Sequence, residues 1–407
     1  MLQLIKNARL IDGRSSSPVE RAAILIDGDK IAAAGPESGL QYSAEYQDSE
    51  KVIDAGGKTI VPGLINVHEH IIWRRSYGSW ADRVVAKDPT WFAIRGAANC
   101  LISLREGVTT VRDVGAKGNT TIMLKRAIED GIIIGPRMMV CGQTIAMTGG
   151  HAYETSLVAN GPDETRKAAR ELLLEGADFI KLMGSGGGIS KVRDFPWSPQ
   201  FTVEEMRAAF EEAHNAGKKT TIHCHPAGQI RRAVEAGVDC IEHGALIDVE
   251  TAEFLAEKGV QLVPTLSATE SFVVMGAEYG RDPESIEQHK RRRPEKIGHW
   301  RRILETGVIL VSGVDSLGDL NMELELFVEI GMSPIQAIQA GTSIAAETID
   351  MGDKVGTIEP GKYADLFLVS ADPLEDIKNL RKIEWVMKGG MTYTPAELSK
   401  AIGPNLK

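Results

Sequence analysis

Ile60-Val61-Pro62-Gly63-Leu64-Ile65-Asn66-Val67-His68-Glu69-His70 is an apolar run that stops at two histidines. A short continuous apolar run reads as a strand buried on both faces, here Ile60–Val67. Beyond it the spacing becomes helical over Phe92–Arg105, and a second apolar run starts at Thr109. The unit then recurs. Further strands are predicted at Thr109–Asp113, Arg137–Cys141, Phe179–Met183, Thr220–Cys224, Asp239–Glu242, Gln261–Pro264 and Val308–Ser312, with helical patterns between them. Alternating strands and helices build a parallel sheet, and eight such strands are the number that closes a barrel. An open doubly wound sheet brings a glycine-rich phosphate turn after its first strand. Here that position holds His68-Glu69-His70.

The flanks have a different rhythm. Leu2–Ile5, Ala22–Ile26, Lys30–Ala34 and Val52–Asp54 read as short strands, with a turn at Gly28. Strand patterns return at Lys362–Ser370 and Trp385–Lys388. The expectation is a (β/α)8 TIM barrel over residues 59–355, beside a small β-sandwich domain formed by 1–58 and 356–407. A barrel takes about 250 residues, so 407 leaves room for the second unit. Hydrophobic residues at 43% and charged residues at 25% allow a large core and exclude disorder as the main state. The net charge of −10 speaks against nucleic acid as a partner. Lys290-Arg291-Arg292-Arg293 is read as a solvated face. No apolar run approaches the roughly 20 residues that span a bilayer, and Met1–Leu10 lacks the apolar block of a signal peptide. A cytoplasmic protein without membrane contact is therefore expected, with homo-oligomer formation left open. Four cysteines without C-x-x-C spacing read as free buried thiols.

In such barrels reactive groups gather at the C-terminal ends of the strands. Those ends carry His68 and His70, Lys181, His223 with His225, His243, and Asp315 just past the eighth strand. Two histidines two residues apart on an extended segment share a face, which suits convergence on one metal. Alone the pair is more readily two unrelated polar residues, but three further histidine-bearing strand ends strengthen the metal reading. Lys181 lies in an apolar strand, where a charged amine is costly unless paired. Burial favours the neutral amine, which can take up carbon dioxide and become a carboxylate-like ligand. Asp315 caps a turn or, near a metal, accepts a proton from water. His151 follows Thr148-Gly149-Gly150 in a loop. His214, His289 and His299 are read as surface residues.

These residues resemble the amidohydrolase superfamily, in the branch of metal-dependent dipeptidases that includes Xaa-Pro dipeptidase and imidazolonepropionase-like proteins. The likeness is carried by Val61-Pro62-Gly63-Leu64-Ile65-Asn66-Val67-His68-Glu69-His70, Gly107-Val108-Thr109-Thr110-Val111-Arg112-Asp113, and Thr148-Gly149-Gly150-His151. Ile180-Lys181 with Ser185-Gly186-Gly187, Ile241-Glu242-His243-Gly244 and Pro360-Gly361-Lys362-Tyr363-Ala364-Asp365-Leu366 complete it. The resemblance implies two divalent metal ions, zinc first. His68, His70 and Asp315 would hold one, and His223 and His243 the other. N6-carboxylysine at Lys181 and a hydroxide would bridge them. It further implies Asp315 as proton shuttle, His225 on the substrate carbonyl and His151 on a substrate carboxylate. Two positions depart from the usual pattern: Val314 stands where Thr is common, and His225 where many members carry Tyr.

The implied activity is hydrolysis of an amide in a dipeptide or N-acyl amino acid with a free carboxylate. The alternative keeps the metals and cleaves a carbamate, an arylurea or another aromatic amide. A deaminase of the same superfamily usually has one metal and no such lysine, and an inactive scaffold would have lost the ligands. Trp73, Tyr77, Trp80, Trp91, Phe195 and Trp197 either line the pocket or pack their loops. Arg193 or the Arg74-Arg75 pair is the candidate to attract a carboxylate.

Overall fold

The computed structural model describes residues 2–40, 51–74, 88–187, 195, 197–276 and 282–402. The two flanks build one sheet of eight strands. Its order runs Met391–Tyr393, Ile383–Lys388, Leu366–Val369, Thr59–Pro62, Leu2–Leu10, Val19–Asp27 and Lys30–Pro36, with Lys51–Asp54 pairing on Leu2–Leu10. Leu366–Val369 lies antiparallel to Thr59–Pro62, with Phe367 opposite Val61, which joins the two ends of the chain. Where two stacked sheets are expected, hydrogen bonding connects all eight strands. The reason lies in Leu2–Leu10. Its first half pairs with Lys51–Asp54 and its end, Arg9 and Leu10, with Thr59 and Ile60, so the sheet continues past a change of partner. Asn7, with φ 54°, sits in the irregular stretch between them. Ile5, Ile24, Ile60, Leu366 and Met387 form this sheet's own core.

The rest is α/β. Leu64–Glu69, Val108–Asp113 and Arg137–Val140 form one parallel sheet. Phe179–Met183, Lys219–Pro226, Cys240–Leu246 and Gln261–Val263 run parallel in a second, whose edge is completed by Ile145–Ala146 and Leu157–Val158. Single backbone contacts bridge the two sheets. Asp178 N donates to Val140 O at 2.7 Å, Leu262 pairs with Leu310, and Val67 N donates to Ser312 O at 3.1 Å. The contacts thus return to the strand where they start. Helices Pro89–Arg105, Thr120–Glu129, Gly161–Glu175, Val203–Asn215, Ala227–Ala236 and Val249–Lys258 alternate with these strands. Thr202 and Glu205 form a capping box at one of them, and Asp88 and Asp248 cap two others.

Among the differences from the sequence reading, three concern the strands and loops around the site. Ile60–Val67 is two strands, Thr59–Pro62 and Leu64–Glu69, divided at Gly63. There the chain leaves one sheet for the other, and a Cβ on Gly63 would lie 2.0 Å from Thr109 Oγ1. Val308–Ser312 is not a regular strand: it forms the bridge at Leu310 and accepts from Val67 N at Ser312 O, while Ser312 N turns to Ala340 O. Leu266–Val274 is a helix where none is predicted. Its first N–H groups, Leu266 N and Ser267 N, donate to Glu323, a cap supplied from 57 residues away. Among the described residues no helix is long and apolar enough to cross a membrane.

Candidate metal centre

Every residue of Leu64–Glu69 is buried, so the strand delivers His68 into the interior. Its Nδ1 is 2.7 Å from Glu242 Oε2, and its Nε2 is buried with no hydrogen-bond partner. A carboxylate accepts, so Nδ1 donates and Nε2 keeps a lone pair. The other ligand candidates repeat this division. His70 Nδ1 donates to Gly115 O at 2.8 Å. His243 Nδ1 is 2.8 Å from Thr265 Oγ1, and His223 Nε2 donates to Gly186 O at 3.1 Å. Each ring spends one nitrogen on the protein and retains the other, the usual condition of a metal-binding imidazole. Burial pushes the pKa of all four below the ordinary value, which keeps them neutral.

Ligand atoms of His68, His70 and Asp315 lie within 4.8 Å of one another, a spacing that one cation would fill. The His68 and His243 ring centroids are 4.6 Å apart, as are those of His223 and His243. Lys181, at the centre of Phe179–Met183, is 1% exposed. Burial lowers its pKa and the nearby Glu242 opposes that, so the amine is brought toward neutrality. For Asp315 burial raises the pKa, but the His70 and His68 rings, the Ser316 N–H and Lys181 around it together bring it below the ordinary carboxylate value.

The backbone around these groups is unusual. His243, Thr265 and Asp315 have φ of 73°, 50° and 60°, in the left-handed region that costs non-glycine residues energy. In a regular strand Glu242 and His243 would face opposite sides. The turn of backbone at His243 accompanies the arrival of both near His68.

One cavity of about 220 Å³ is lined by His68, His70, His151, Lys181, His223, His225, His243 and Asp315. The ligand candidates, His151 and His225 therefore meet in it; Arg193 lies outside the described residues, as do Arg75, Tyr77 and Trp80. His151 stacks on His223 at 4.3 Å, with Gly187 leaving room for its ring. His225 stands 4.7 Å from His223, its N–H bonded to Ser185 Oγ. Arg74 is not available to a substrate. It is buried, paired with Glu69 and Glu106, and donates to Ser103 Oγ. Of the aromatics, Trp73 lines the cavity and stacks on His70, whereas Phe195 and Trp197 are exposed and stack on each other. His214 pairs with Asp239 at the surface, and Arg293 pairs with Glu270 and Glu329.

Two supporting acids were not singled out by the sequence. Glu242 is buried between His68 and Arg112. Asp113 accepts from Ile71 N at 2.7 Å and Gly115 N at 3.3 Å, so it ties the turn after His70 to the loop whose carbonyl holds that ring. Burial raises the Asp113 carboxyl to about 8 against those two N–H groups. For Glu242 the available signal is a charge next to a histidine in an otherwise apolar strand, and for Asp113 a carboxylate ending a buried strand, each of which must find a partner.

Buried imidazoles, a carboxylate and a lysine from the parallel strands thus converge on one cavity. The sequence profile of the Amidohydrolase family matches residues 59–392, and the chain belongs to that family. It is similar to ochratoxinase of Aspergillus niger, 29% identical over 94% of this chain and 85% of the relative. A crystal structure of a Xaa-Pro dipeptidase with methionine bound in the active site is 35% identical. It superposes with a TM-score of 0.86 over 97% of this chain and 100% of the other. A prolidase complexed with N-methylphosphonate-L-proline is 28% identical, with a TM-score of 0.86 over 97% and 100%. The chain is thus a hydrolase of amide and other C–N bonds.

Proposed function

We propose that this chain is a binuclear metal-dependent amidohydrolase that cleaves the amide of a dipeptide or N-acyl amino acid with a free carboxylate. The observation that carries the reading is His68 Nε2, buried without a partner and clustered with His70 and Asp315 within 4.8 Å. The strands around it are read as a closed (β/α)8 barrel, since backbone contacts return from Ser312 to Val67. His68, His70 and Asp315 would hold one cation, His223 and His243 the second, and carbamylated Lys181 both. Imidazole and carboxylate donors suit zinc. Two such cations, when bound, polarise the scissile carbonyl and acidify water. The chain's own residues do the remainder. His225 donates to the carbonyl oxygen. Asp315 takes the proton of the attacking water and passes it to the leaving nitrogen as the C–N bond breaks. His151 holds the substrate carboxylate.

The dipeptidase and prolidase among the similar structures support a free-carboxylate substrate. Trp73, stacked on His70 at the cavity wall, supports a second reading, an aromatic amide, arylurea or carbamate cut by the same centre. Metal analysis with a panel of dipeptides, N-acyl amino acids and aryl amides decides. About two metal equivalents with dipeptide turnover are expected. Turnover of aryl amides alone would replace the first reading by the second.

His151→Ala should raise KM for free-acid substrates. Loss of a charge-assisted hydrogen bond costs about 1.5–3 kcal/mol, or roughly 10- to 150-fold. Equal effects on free-acid and amidated substrates would remove His151 from the carboxylate site.

A further inference from the structure

We propose that Glu242 is a positioning residue that holds His68 in the tautomer with a bare Nε2, and that Arg112 and Thr221 fix which carboxylate oxygen faces the ring. The proposal rests on the reading of His68 as a metal ligand. Glu242 is fully buried. Its Oε2 meets His68 Nδ1 at 2.7 Å. Its Oε1 accepts from Arg112 Nη2 at 2.6 Å and from the Thr221 hydroxyl. Arg112 is itself anchored, because its Nε donates at 2.6 Å to the carbonyl of Val67, the residue before His68. The carboxylate is therefore held from one side by Arg112 and Thr221, with Cys240 Sγ 3.9 Å from the same oxygen, and presents the other side to the imidazole.

An ionised carboxylate only accepts, so the proton must stay on Nδ1. A neutral imidazole without that constraint is free to carry its proton on either nitrogen. Glu242→Gln keeps the shape and breaks the symmetry of the end group. Arg112 and Thr221 would retain the amide oxygen at the Oε1 position. The amide NH2 would then face Nδ1, donor against donor, and the ring would relieve this by moving its proton to Nε2. A hydrogen would occupy the direction in which a cation has to bind. The variant also leaves the Arg112 charge without its counterion in the interior, which repels a cation nearby. Both effects weaken metal binding, and loss of such an outer partner typically costs about 10- to 100-fold in affinity.

Nitrogen NMR on histidine-labelled, metal-stripped protein reads the tautomer directly, with the His68 signal assigned by its loss in His68→Asn. Wild type should carry the proton on Nδ1 and folded Glu242→Gln on Nε2. The same tautomer in both would overturn the proposal. Zinc release into a chelator should be about 10- to 100-fold faster from the variant, and an unchanged rate would also overturn it. Should Glu242→Gln not accumulate in folded form, Glu242→Asp keeps the charge beside Arg112 and draws the oxygen back from His68. Faster zinc release is again expected, and a wild-type rate counts against the proposal. The NMR measurement needs no metal. A wild-type chain that takes up no cation would end the functional reading above, while the tautomer comparison would still decide the part assigned to Glu242.

Discussion

Lys181→Ala is expected to lose well over 100-fold in turnover and to retain fewer metal equivalents than wild type, a larger effect than removing an outer partner of a ligand. The lysine is 1% exposed in a strand whose five residues are all buried. Burial drives its amine toward the neutral form, which is the form that adds to carbon dioxide. That addition makes an N–C bond at the expense of one C=O π bond of carbon dioxide, releases one proton and turns a neutral amine into an anion between two groups of imidazoles. The alanine variant removes the anion and leaves a space of several methylenes. Formate, acetate or propionate entering that space should restore part of the activity. A carbon-13 carbamate signal should appear in wild type supplied with labelled bicarbonate and be absent from the variant. Full turnover by folded Lys181→Ala would show that the lysine is only a strand residue.

The residues that were legible from sequence share one property: their position follows from a local pattern. Apolar runs with histidine, lysine or aspartate at their ends locate His68, His70, Lys181, His223, His225 and Asp315 without knowledge of what packs where, and one cavity contains them. What was not legible depends on contacts distant in sequence. Glu242 and Arg112 are 130 positions apart, and neither strand alone shows that the guanidinium ends on the carboxylate. Helix Leu266–Val274 starts because Glu323 supplies its cap, so its own residues do not announce it. Arg74 looked like a free cation beside the first strand, but Glu69 and Glu106 reach it only after folding. The division at Gly63 is of the same kind, since Thr109 is what forbids a side chain there. The left-handed backbone at His243 is likewise set by the surrounding packing, and alternation along the strand would have aimed that ring elsewhere.

Asp315→Asn should leave folding and much of the metal in place while turnover falls by about 10²–10⁴-fold, the usual worth of general acid–base help. The substitution is mild for the backbone. Position 315 has φ 60°, and Asn is among the side chains that adopt this conformation most readily. One carboxylate oxygen lies 3.9 Å from His70 Nε2 and accepts from Ser316 N at 2.5 Å, and an amide oxygen can take over that place. The amide cannot accept the proton of the attacking water, so the loss should fall on kcat with KM little changed. The groups around Asp315, among them the Ser316 N–H, bring its pKa below the ordinary carboxylate value despite burial, so it is ready as a base at neutral pH and is lost as one in acid. Activity should therefore decline on the acidic side, with an apparent pKa that belongs to the aspartate and its surroundings together. A residue that only caps the turn at Ser316 predicts the opposite pattern, a modest loss of stability and near-normal kcat in the folded fraction. Turnover per bound metal in folded Asp315→Asn separates the two, and a value within a few-fold of wild type would remove Asp315 from proton transfer.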